Sequence, residues 1–211
     1  MTVKKPLDSA TSIKEIRRIL NDSLPSRSLF EKYRPSEDWF FRHESLCDIH
    51  GINHEARVMV IQEIISLILI KTQSVSLDQE ALRWASATHD IRRRNDGLNL
   101  RHGIRSSKWV SKNLSSLIPS ESLEKVKIIN CWHSVWDNQI PNLIPELIIF
   151  KDADALDRVR SNDLDPQFLR YDFSYELLFN PSLDLFTKTY HSDKLFDSVL
   201  DAAVEIGLID K

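Results

Sequence analysis

The longest apolar run in the chain, Val58 to Ile70, is interrupted only by Gln62, Glu63 and Ser66 and shows no alternation, so it reads as a helix buried on nearly every side. Helix start and stop signals punctuate the rest of the chain. Ser12-Ile13-Lys14-Glu15 is a capping box for a helix to about Leu20. Asn53 caps the long apolar helix, which runs to about Lys71. Ser76-Leu77-Asp78-Gln79 is a second capping box, for a helix through about Arg93. Asn99 caps a helix to about Leu114, and Ser120 one to about Val135. Pro145 suits the first turn of a helix ending near Arg160, and Ser192 opens a last helix that stops at Gly207. Sustained period-two runs are absent. The predicted fold class is all-α, a helical bundle. Residues 1–42 are expected as an N-terminal accessory segment and residues 43–211 as the main domain. Pro25, Pro35 and the aromatic patch Trp39-Phe40-Phe41 mark a connection, and Ser12–Phe41 is the expected surface for a homodimer or a partner.

Composition narrows the function classes. The chain has 211 residues, 42% apolar and 28% charged, which suits a globular protein with its own core. The net charge of −3 gives no whole-protein attraction to nucleic acid or to an anionic membrane. No apolar stretch is long enough to span a bilayer, and no secretory leader follows Lys4 and Lys5. With two cysteines, Cys47 and Cys131, and no paired-cysteine motif, a reducing, cytoplasmic setting is expected. Four glycines are too few for a dinucleotide fingerprint or a phosphate-binding loop.

The chemistry concentrates in Thr88-His89-Asp90, which follows Leu82, Trp84, Ala85 and Ala87. A carboxylate in so apolar a segment is costly unless paired or metal-bound, and the adjacent imidazole supplies a nitrogen ligand. His54 lies at the start of the long helix, and Asp154 and Asp157 share a face of the helix after Pro145. Ligands from separate helices converging in a bundle core make a familiar kind of metal site. Asp154 has an alternative partner in Arg158, four residues on.

The order His54, His89-Asp90, Asp154 resembles the HD-domain superfamily of metal-dependent phosphohydrolases. The surroundings agree: Ile49-His50-Gly51-Ile52-Asn53-His54, then His89-Asp90-Ile91-Arg92-Arg93-Arg94, then Arg101-His102-Gly103, then Asp152-Ala153-Asp154-Ala155-Leu156-Asp157. The resemblance covers about residues 45 to 160. It implies an HD-type bundle in which His54, His89, Asp90 and Asp154 hold a divalent metal (Mn, Co, Ni, Fe or Mg). It also implies a hydrolase of phosphate esters or anhydrides, with a small phosphorylated substrate of nucleotide type. His102 and His133 match, in order, histidines that in some relatives hold a second metal and in others face the substrate phosphate. Asp90, His102 and His133 are therefore the expected catalytic residues. Two other classes are carried: a di-iron oxygenase on the same helical core, and a metal-binding regulatory module without turnover.

The remaining residues have mixed readings. Arg92, Arg93, Arg94, Arg101, Arg105 and Lys108 form a basic cluster, either a solvated helix end or a phosphate clamp, with Arg93, Arg94 and Arg105 the candidates. His50 reads as a loop-structuring residue, and His43 and His191 as surface histidines. Asp96-Gly97 reads as a turn between helices, with substrate contact by Asp96 the alternative. Trp132 and Trp136 read as core, with stacking on a nucleobase the alternative, and Cys131 as buried filler.

Overall fold

The computed structural model describes residues 5–42, 46, 49–97, 99, 101–190, 192 and 195–211. Among them the chain is all-helical: α1 (Ser9–Leu20), α2 (Arg27–Glu31), α3 (Ile52–Gln73), α4 (Gln79–Ser86), α5 (His102–Asn113), α6 (Ser120–Trp132), α7 (Pro145–Leu156), α8 (Asp172–Thr189) and α9 (Leu195–Ile206), joined by short 3-10 turns. The sole β feature among the described residues is a bridge between Ser26 and Asp210.

The long apolar helix is the axis of the fold. Sixteen of the 22 residues of α3 are buried, and α1, α4, α7, α8 and α9 pack around it. Two of its polar interruptions, Glu63 and Ser66, are hydrogen-bonded in place. Glu63, for example, takes two bonds from Arg83, at 2.6 and 2.8 Å.

Several boundaries differ from those predicted, each for a local reason. Asp8, not Ser12, caps α1 by accepting from Thr11 N at 3.0 Å, while Ser12 is buried a turn further on. The extended Gly51 precedes α3, so Asn53 lies inside the helix and its amide donates to Thr189 O. Asp78, not Ser76, caps α4 through Ala81 N at 2.9 Å. Arg101 and Pro119 occupy the cap positions of α5 and α6 without side-chain capping bonds. Pro145 stands in the first turn of α7, and Gly207, with φ of 85°, follows α9. No helix was predicted over α8, and Pro181, a residue that ordinarily breaks helices, lies buried in its middle. The expected helix start at Ser192 precedes α9 by three residues.

The described part of the segment expected as an accessory, residues 5–42, shares the core. Ile16, Leu20, Phe30, Tyr33 and Phe40 are buried in the same cluster as α3, and Leu7 is bonded to α8 through Glu176 O and Asn180. Amphipathic α1 needs a partner for its apolar face, and α3 and α8 supply it. No helix among the described residues is long and apolar enough to cross a membrane. The expectations for His43, Cys47 and His191 fall outside the described residues.

Candidate metal centre

The His89-Asp90 doublet was expected on a helix, but α4 ends at Ser86 and the doublet occupies the turn beyond it. Two interactions build that turn. Thr88 Oγ1 donates to Trp84 O at 2.7 Å and accepts from Asn130 Nδ2 at 2.9 Å, tying the turn to α6. Glu55, fully buried on α3, lies 2.8 Å from His89 Nδ1 and accepts from Asp90 N at 3.2 Å, while His89 Nδ1 also faces Ser86 O at 3.2 Å.

The four ligands expected from separate segments converge. His54 Nε2 lies 3.0 Å from His89 Nε2, 3.4 Å from Asp154 Oδ1 and 3.8 Å from Asp90 Oδ2. His54, His89 and Asp90 are buried, while Asp154 is partly exposed and lines a cleft. Asp154 does not pair with Arg158, which instead meets Asp163. On the other side of Asp90, Oδ1 lies 2.9 Å from His102 Nε2 and 3.6 Å from His133 Nε2, and these two ring nitrogens are 2.8 Å apart. Ligand-capable atoms therefore form a group of His54, His89 and Asp154 and a group of Asp90, His102 and His133, each within 4.8 Å, with Asp90 also within reach of the first.

Gly103 explains how α5 and α6 come close enough for the second group. A Cβ at this position would lie 2.2 Å from Asn130 O and 3.2 Å from the His133 ring, so only glycine permits the approach.

The partners of the Nδ1 atoms indicate what the Nε2 atoms are for. His54 Nδ1 faces Asp157 at 2.7 Å, His89 Nδ1 faces Glu55, His102 Nδ1 faces Asn99 O at 2.6 Å and His133 Nδ1 faces Asn130 O at 2.8 Å. Each partner is an oxygen acceptor, which places a proton on Nδ1 and turns the Nε2 atoms toward one another and toward two carboxylates. Such a convergence calls for positive charge at the centre, a proton on His89 or a metal ion in its place, and the oxygen behind each imidazole is the usual support of a metal-bound histidine. The donor set of four imidazoles and two carboxylates fits divalent transition metals.

The electrostatics point the same way. Burial, reinforced by Arg160, pushes His54 down to about 3, so it is neutral and has a free lone pair. Burial also opposes charge on His89, but Glu55 and Asp90 outweigh it and push this histidine up to about 10. The pocket thus draws positive charge to the His89 ring. Burial disfavours the Asp90 carboxylate too, yet His89, His102, His133 and His50 hold it well below the usual range. Asp157 is likewise held ionised against its burial, by Arg57, His54 and Arg160.

Other candidates divide. His50, read as a loop residue, sits 2.8 Å from Asp90 Oδ2 and forms a third close group with His54 and Asp90; the sole sequence signal was its spacing four residues before His54. Arg93 lines the cleft and approaches Asp90 at 3.4 Å. Arg94 and Arg105 do not line it: Arg94 stacks over Phe41, and Arg105 bonds Arg92 O and Asn99 Oδ1. Arg92 stacks over Phe41 and Trp109, so much of the basic cluster fastens the aromatic patch. The cations at the cleft that the sequence reading missed are Lys151, Arg158, Arg160 and Arg170. Trp132 and Cys131 are half-buried, whereas Trp136, expected in the core, is 64% exposed at the cleft. Comparison with protein-family models, with curated proteins and with solved structures returns no match.

Proposed function

We propose that the protein is a metal-dependent phosphohydrolase acting on a phosphate ester or anhydride of a small, nucleotide-type substrate, in keeping with its resemblance to the HD-domain superfamily. The observation that carries this reading is Asp90, whose two oxygens face opposite pairs of imidazoles, His54 and His89 on one side and His102 and His133 on the other. His54, His89, Asp90 and Asp154 would hold one divalent ion, and Asp90, His102 and His133 a second. When bound, such ions supply Lewis acidity toward a phosphoryl oxygen and lower the pKa of water.

The chain's own residues support the chemistry around that centre. Asp157 and Glu55 fix the His54 and His89 rings. Arg93 brings a guanidinium to the cleft wall beside Asp90, where it would neutralise phosphate charge. His50 reaches Asp90 from the cleft side and is placed to hold or pass a proton there. The cleft encloses about 1200 Å³, room for a substrate of nucleotide size.

The test is elemental analysis of protein purified without chelator, paired with phosphate release from nucleotides under Mn²⁺, Co²⁺, Ni²⁺ and Mg²⁺. Two equivalents of metal with metal-dependent release are expected; a protein that takes up no metal would refute the reading. The shared carboxylate also suits two irons, the arrangement of a di-iron oxygenase, and O₂ consumption by the iron-loaded protein would favour that reading instead.

A further inference from the structure

The wall of the cleft away from the metal centre carries two large exposed aromatic side chains. Trp136 is 64% exposed and Phe168 is 54% exposed, and both line the cleft. Their ring centroids lie 5.6 Å apart with planes tilted by 57°. Each sits on a short turn, Trp136 just before the 3-10 turn Asp137–Gln139 and Phe168 at the end of the turn Pro166–Phe168.

Exposed aromatics on turns are ordinarily mobile and unfavourable, yet here both turns are clamped. Arg170 donates two bonds of 3.0 Å to Asp137 and one of 2.9 Å to Phe168 O, which links the turns. Its backbone N donates to buried Asp152 at 2.9 Å. Lys151, on α7, holds Val135 O and Asp137 from below. Lys151 precedes Asp154 by three residues, about 4.5 Å of helix rise, so one helix carries both the support of the aromatic pair and a candidate metal ligand. Beside the rings the cleft is lined by Asn138, Gln139 and Gln167. Side-chain amides offer a donor and an acceptor together, the combination that reads the edge of a heterocycle.

We infer that Trp136 and Phe168 form a stacking platform for the base of a free nucleoside phosphate whose phosphate reaches the Asp90 centre. The inference rests on the phosphohydrolase reading and adds to it the residues that select the substrate. A flat π-face with neighbouring amides, in the cleft that Asp90, Arg93, His102 and His133 also line, matches a nucleobase better than a sugar phosphate, which has nothing to stack. Asp163 and Asp165 at the same cleft disfavour a long polyanionic strand.

The test compares substrates that differ only in the base, using the full-length protein with Mn²⁺: AMP against ribose 5-phosphate, and ATP against tripolyphosphate. In at least one pair, kcat/KM should favour the member with the base by about tenfold or more, and Trp136→Leu should collapse that ratio while Trp136→Phe keeps most of it. Phe168→Leu should lower the ratio in the same direction. A ratio near one in the parent, or one unmoved by Trp136→Leu and Phe168→Leu, would overturn the platform while leaving the hydrolase intact. If no probe is turned over, the hydrolase reading fails on its own. Calorimetric binding of AMP, weakened about tenfold in Trp136→Leu, would still uphold the platform, and binding unchanged by that substitution would overturn it. Preferential turnover of a short single-stranded RNA over AMP would overturn the assignment to a free nucleotide.

Discussion

His54 Nδ1 lies 2.7 Å from Asp157 Oδ2, and the same carboxylate takes bonds from Arg57 at 2.6 and 3.0 Å. Asp157 therefore does two jobs: it fixes the His54 ring with Nε2 toward the ligand cluster, and it neutralises buried guanidinium charge. Asp157→Asn keeps the shape and removes the charge. Metal affinity at the first group should fall about 10- to 100-fold, and stability should drop by about 3 kcal/mol because Arg57 is left buried without its counter-ion. Metal titration and urea denaturation check the two effects, and an Asp157→Asn variant with parental values in both would show that the carboxylate orients nothing.

Asp90→Asn tests the shared ligand. On the proposed two-ion reading, metal-dependent hydrolysis should fall at least about a hundredfold, because Asp90 would be the ligand common to both ions. The rise in Tm that added Mn²⁺ gives the parent should largely disappear, since that rise is the linkage of binding to folding. Differential scanning fluorimetry with and without metal reads the second effect. A variant whose Tm still climbs with Mn²⁺ as the parent's does would place the ion elsewhere.

Gly103→Ala probes the second group without touching a ligand. The added methyl meets a backbone carbonyl rather than a yielding side chain, so α5 must move away from α6. The expected result is a folded protein destabilised by about 1–3 kcal/mol, with metal content reduced from two equivalents to one. His102→Ala should give the same stoichiometry. Two equivalents retained in both variants would remove His102 from the ligand set and leave it a phosphate contact.

The pH dependence of stability in EDTA follows from two histidines with opposite shifts. The folded-state pKa of His54, about 3, lies below its ordinary 6.5, so the unfolded chain binds more protons and stability falls as pH drops below about 6.5. That of His89, about 10, lies above 6.5, so its contribution is fully present below pH 6.5 and is lost as pH rises toward 10. Burial pushes Glu55 up from 4.5 to about 7, so its contribution falls as pH rises through that window and opposes the His54 effect there. Metal-free protein should therefore lose stability mainly as pH rises above about 7. A divalent ion takes the place of the His89 proton, so adding Mg²⁺ should flatten the alkaline decline. Tm measured from about pH 5 to about pH 9 with EDTA and with Mg²⁺ checks this; parallel curves would disconnect the ion from His89.

That the chain is all-helical was legible from its apolar runs and helix signals, although most caps lie elsewhere than predicted, and the set His54, His89, Asp90 and Asp154 was legible through its resemblance rather than through any local property. What was not legible depends on packing at a distance. The role of His50 arises from Asp90, forty residues on, and that of Glu55 from the turn after α4, contacts that the spacing of His50 from His54 does not reveal. The arginines near the His-Asp doublet looked like a clamp, yet Arg92 and Arg94 are spent on Phe41. Most of the cleft's other cations, Arg158, Arg160 and Arg170, come from the segment after α7, where the ion pairs with Asp163, Asp157 and Asp137 are set by the fold of that segment. No helix was predicted over α8, where the surrounding core overrides the usual meaning of Pro181.

The sharing of Asp90 between the two imidazole pairs also bears on how such a protein decays or diversifies. A substitution at position 102 or 133 strips one pair and leaves the other whole, whereas a change at position 90 withdraws an oxygen from both pairs in a single step.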